Sequence, residues 1–170
     1  MVASVLAIRA AKVALVAATA LSASLVAFGN ITDYGTNFAF VQHVFMMDTV
    51  FPTATTKYRA IDLPILHHIG YIGIIVAETV TAILCWWGAV RLWQQRQAPA
   101  RDFNRAKTVA VAGLTLGFLV WQVGFMSVGG EWFGMWMSTQ WNGIESAFRV
   151  FITILAVLIY VALVDRELDA

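Results

Sequence analysis

The chain has 170 residues, 60% of them hydrophobic and only 12% charged. Soluble domains run near 25% charged, so this composition excludes an ordinary soluble fold and points to one membrane-embedded domain. A net charge of +1 gives no electrostatic basis for binding nucleic acid, and the single cysteine, Cys85, excludes an internal disulfide and a CxxC metal motif.

Four segments have the roughly 20 apolar residues a membrane helix needs, at about 8–28, 65–93, 107–129 and 142–164. The first has a basic start and small residues near Ala27 and Gly29, as a secretory signal does, but is expected to be a retained helix with Lys12 snorkelling to the interface. Residues 30–63 follow as a connection. Within them, Asn37 to Thr49 reads as a short helix with Phe38, Val41, Val44 and Phe45 on one stripe, resting on the membrane surface or capping the bundle. Gln42, His43 and Asp48 lie off that stripe, and Met46 and Met47 are expected to face lipid. The sequon at Asn30 carries no weight without a secretory context.

The second segment is long and should tilt or project, with Asp62 and Pro64 at its start. A basic connector, RLWQQRQAPARDFNRAK, leads to the third, whose GLTLG pattern at Gly113 and Gly117 permits close helix approach. VGGEWFGMWMSTQW then reads as a loop re-entering the interface before the fourth segment. Arg9, Lys12, Arg91, Arg96, Arg101, Arg105, Lys107 and Arg166 fall on one side, and Lys57 and Arg59 on the other. The positive-inside rule therefore places both termini in the cytoplasm. Trp86, Trp87 and Trp93 make an inner belt, and Trp132, Trp136 and Trp141 an outer one.

At about 100° per residue, His67, Tyr71, Glu78 and Cys85 lie within about 40° of one line. Asn142, Glu145, Arg149 and Thr153 do the same on the fourth segment, and Thr108, Thr115 and Gln122 recur on the third. With Thr19 and Ser22 on the first segment, four such seams make a bundle with a polar axis. A charge at the depth of Glu78 costs about 2.5–3.5 kcal/mol. The expected answer is an ion pair with Arg149, with Gln122 and Tyr71 supplying hydrogen bonds, and Glu145 and Asn142 completing a buried polar network. Such a pair reads first as a lock between helices and second as part of an ion or proton pathway.

The outer residues His43, His67, His68, Met47 and Asp48 pose a different question. Sulfur with imidazole suits copper, and paired imidazoles suit haem b, with His67 and His43 the one axial pair worth naming. No HExxH or Glu-x-x-His spacing supports either, so a packed polar cap is the first reading and a metal or haem site the alternative.

FVQHVFMMDT, LHHIGYIGIIVAETVTAILCWWGAVRLW, AVAGLTLGFLVWQVGFMSVGGEWFGMWMS and WNGIESAFRVF together resemble the bacterial predicted small integral membrane proteins of unknown function, over about residues 5–165. The resemblance implies a four-span protein of the bacterial inner membrane and no established activity. Its motif positions include Gln42, His43, Asp48, His67, His68, Glu78, Trp86, Trp87, Gln122, Glu131, Trp132, Asn142, Glu145 and Arg149. The combined expectation is an all-α, four-helix integral membrane bundle with a short interfacial helix, residues 1–170 forming one domain. Its expected role is a non-catalytic accessory or assembly subunit that contacts the lipid bilayer and other membrane subunits or copies of itself. The alternatives are a redox protein holding haem b or copper, and an ion or proton transporter.

Overall fold

Each apolar segment folds as a helix because a bilayer leaves backbone N–H and C=O groups no other partners. The computed structural model describes residues 2–167. In chain order the helices are α1 (Val2–Thr32), α2 (Tyr34–Met46), α3 (Pro64–Gln94), α4 (Ala100–Leu119) and α5 (Ile144–Ala162). A π-helical segment, Val120–Trp132, continues directly from α4. Single 3-10 turns occupy Thr55–Arg59 and Met135–Met137, and no strand occurs among the described residues. Among the described residues, four helices are long and apolar enough to cross a membrane: Ala3–Thr32, Pro64–Gln94, Ala100–Trp132 and Ile144–Ala162. This is the all-α, four-helix membrane architecture the composition implies, with α2 as a short additional helix at one end of the bundle.

The third helix departs most from the expected boundaries. It starts at Ala100, seated behind Pro99, and runs to Trp132. The stretch from Val128 to Trp132, expected in a re-entrant loop, instead completes this helix as π-turns. Gly129 and Gly130 are buried there, and Ile144 packs where a side chain on Gly130 would stand.

Successive helices are antiparallel neighbours: α1 packs along α3, α3 along α4, and α4 against α5, while α5 and α1 meet only sparsely. The buried stripe of α1 is Arg9, Lys12, Val16, Ala20, Ala23 and Ala27, one residue every three or four. Between α3 and α4 small residues bring the backbones together. A Cβ on Gly88 would lie 2.6 Å from the Ala110 Cα, and one on Gly113 would lie 2.9 Å from the Cys85 backbone nitrogen. The GLTLG pattern thus packs inside the bundle, Gly117 lying over Thr81.

At one end of the bundle, α2 and the turn after the π-segment form a cap with its own apolar core of Val44, Met47, Val50, Phe133 and Met135. Met47 is fully buried rather than lipid-facing, in a left-handed conformation (φ 50°) that ends α2. Gly134, at φ +65°, makes the corresponding reversal opposite it. The start of α1, the end of α5 and the α3–α4 turn meet at the other end, the terminal end.

Candidate functional site

The polar residues divide into three separate groups rather than one axis. In the cap, His43 sits near the end of α2 and shares a 2.6 Å hydrogen bond between Nδ1 and Oδ2 of Asp48. Its ring stacks on Trp141 at 4.6 Å. His67, in the first turn of α3, is buried and donates from Nε2 to the carbonyl of Ile61 at 2.6 Å; its Nδ1 has no partner. His68 projects to another side of α3, bonds through Nδ1 to the Tyr34 hydroxyl at 2.7 Å, and stacks on Phe38. His43, His67, His68, Met47 and Asp48 are therefore spread over three environments. Among the described residues no three His, Cys, Asp or Glu side chains are grouped as a metal set.

The second group runs down the buried face of α3. His67, Tyr71, Glu78 and Cys85 are all buried, as their common line on α3 requires. The partners expected for Glu78 are elsewhere. Arg149 donates to Glu145 at 2.8 Å, an i,i+4 pair whose side chains are 68% and 84% exposed. The reason is depth. Arg149 lies five residues into α5, about 7 Å from its start, whereas Glu78 lies fourteen residues into α3, about 21 Å down. Arg149 can therefore reach the interface and find a partner on its own helix. Asn142 is exposed, and its Oδ1 accepts from the Ile144 backbone N–H at 3.1 Å, so it caps α5 instead of entering a network. Tyr71 donates to the carbonyl and side-chain oxygens of Asn30, at 3.0 and 3.2 Å.

Gln122 is half-buried on the π-segment, and the seam read from Thr108 and Thr115 is not the inward face of α4: Thr108 is exposed, while Ala106, Ala110, Gly113 and Gly117 are buried. The residue brought to Glu78 is its neighbour Trp121, whose indole lies against the carboxyl. Glu78 itself is 2% exposed, and its Oε1 has no hydrogen-bond partner. It lines a cavity of about 300 Å³ with residues of α1, α3, α5 and Trp121, and Arg149 stands on the wall of the same cavity.

The third group was not anticipated. At the terminal end, the stretch after α5 folds back over two buried lysines. Lys12 Nζ donates to Asp165 Oδ2 at 2.5 Å and to the Leu163 carbonyl at 2.7 Å. Lys107 pairs with the same Asp165 oxygen and donates to Leu163 O and Asn104 Oδ1. Asn104 also exchanges hydrogen bonds with the Asp165 backbone. Arg9, fully buried, donates to the carbonyls of Arg96, Ala98 and Arg166, and its guanidinium lies over Phe103. Lys12 thus does not snorkel; it is clamped. The signal was present, because Arg9, Lys12 and Val16 continue the alanine stripe of α1 and so must face inward.

These geometries suit holding helices in place. Among the described residues, the Glu78 carboxyl is a buried polar group that lines a cavity with an oxygen left unpartnered.

No curated protein and no solved structure matches the chain. A family model described as predicted small integral membrane protein (DUF2165) matches residues 8–164, spanning all four membrane helices and the cap between them. The chain is a small integral membrane protein with four spans and belongs to that family.

Proposed function

We propose that the protein is a non-catalytic accessory or assembly subunit of a larger membrane complex, contacting other membrane subunits besides lipid. The observation that carries this reading is the fate of the three histidines. Each is engaged by a neighbouring group of its own chain: Asp48 for His43, the Ile61 carbonyl for His67, and Tyr34 for His68. Each ring is held by one such bond and the three lie in separate environments, although His67 keeps a free Nδ1; that dispersal suits a structural cap better than a redox centre. Exposed aromatics on that cap, including Phe51, Tyr58 and Trp136, offer contact area to a neighbouring subunit or to the lipid interface. Co-purification in gentle detergent tests the reading: a stoichiometric membrane partner supports it, and a Soret band or an equivalent of bound copper overturns it.

The proposed location is a bacterial inner membrane, with the terminal end in the cytoplasm. It rests on the clustering of basic residues at that end. In a Cys85→Ala background, a membrane-impermeant maleimide applied from outside should label Thr55→Cys, an exposed cap position, and miss Gln97→Cys, an exposed position in the α3–α4 turn. The opposite pattern would invert the topology.

A further inference from the structure

We propose that the cleft between α1 and α5 binds a small lipophilic amine, whose ammonium group is held by the Glu78 carboxylate. The cleft exists because α1 and α5 close the ring of helices only sparsely, which leaves the cavity of about 300 Å³ described above. Its wall is apolar almost throughout. Even the threonines that line it spend their hydroxyls on their own helices: Thr19 on Leu15 O, Thr81 on Ala77 O and Thr153 on Arg149 O. Ser22 stands exposed at the rim, whereas Glu78 is buried and has a carboxyl oxygen without a partner among the described residues.

Buried polar atoms without partners are few in folded proteins, and each calls for an explanation. A ligand that donates a hydrogen bond supplies one. The chemistry of the ligand follows from the wall. An apolar body fits the aliphatic lining, and a cationic donor fits the carboxylate. Arg149 does not pre-empt that role, because its guanidinium is engaged by Glu145. An anionic amphiphile would set its charge against Glu78.

Entry is also provided for. A second cavity, about 330 Å³, shares Val26 and Trp121 with the first. It is lined toward the cap by Asn30, Asn37, Asn142 and Ser146. An amine can keep polar contacts along this vestibule before its apolar part enters the cleft. This site is independent of the accessory-subunit reading, since it concerns a small molecule within one chain.

The test uses the full-length protein in lipid nanodiscs, titrated with phenylbutylamine and followed by tryptophan fluorescence. Phenylbutanol and phenylbutyrate serve as neutral and anionic analogues of the same size, and Trp121→Phe assigns the signal. Saturable binding of the amine, weakened about tenfold to a hundredfold in Glu78→Gln, is the expected result for a charge-assisted contact. The two analogues should bind no better to the wild type than to Glu78→Gln. Ala18→Phe, which adds bulk at the exposed rim of the cavity and leaves Glu78 in place, should also abolish saturable amine binding while the chain stays monodisperse. Non-saturable amine uptake, or equal amine affinity in the wild type and Ala18→Phe, would overturn the proposal. So would equal affinity in a folded Glu78→Gln.

Discussion

Replacing Asp165 with alanine should cost the fold about 3–5 kcal/mol, the usual consequence of leaving a buried charge without its partner. The loss is large because one carboxylate serves two ammonium groups, those of Lys12 and Lys107, and all three side chains are at least nine-tenths buried. The carbonyl of Leu163 and the Asn104 side chain would remain as acceptors, but they carry no compensating charge. Lys12→Met alone should be milder, since Lys107 and Asp165 then form a one-to-one pair. Unfolding of each variant in detergent, followed by circular dichroism, measures the difference. A double-mutant cycle with Lys12→Met and Asp165→Ala should show strong coupling. A change below about 0.5 kcal/mol for Asp165→Ala, the range of ordinary surface substitutions, would mean the clamp does not hold the terminal end together.

Gly88→Leu is expected to be the next most damaging change, at about 1–3 kcal/mol or more. Any side chain at residue 88 meets the backbone of Ala110, which cannot rotate away as a flexible side chain could. The α3–α4 pair would have to separate, and Gly113 and Gly117 would lose their close contacts as well. Gly73 lies on the same helix with open space around it, so Gly73→Ala should be neutral or stabilising by about 0.5–1 kcal/mol. Thermal melting of both variants provides an internal control. Equal loss at the two positions would show that helix propensity, and not close approach, governs the α3–α4 interface.

The fold was legible where one physical constraint acts alone. Runs of apolar residues long enough for a bilayer marked all four helices, and the line of His67, Tyr71, Glu78 and Cys85 correctly located the buried face of α3. Pairing was less legible, because periodicity gives a residue's direction around a helix but only a coarse depth along it. Glu78 and Arg149 do face one cavity, yet they differ in depth and Arg149 pairs with Glu145. Gln122 was misplaced for another reason: a seven-residue repeat of polar residues does not say which face turns inward, and on α4 the buried face is that of Ala106, Ala110, Gly113 and Gly117, with Thr108 exposed. The terminal clamp was obscured by treating basic residues as topology markers. Arg9 and Lys12 serve that purpose, but their place on the stripe of Val16 and Ala20 also turns them inward, where Asp165 and backbone carbonyls receive them.

The central claim is that this bundle works as a subunit, with its histidine-bearing cap serving as structure. Native mass spectrometry of the protein, released from mild detergent after extraction at its natural expression level, tests that most directly. The expected result is a defined complex with at least one other membrane protein in fixed stoichiometry, with no mass attributable to haem or metal on this chain. A chain that appears alone, or that carries near-stoichiometric haem or metal lost in His43→Ala and His67→Ala, would contradict it.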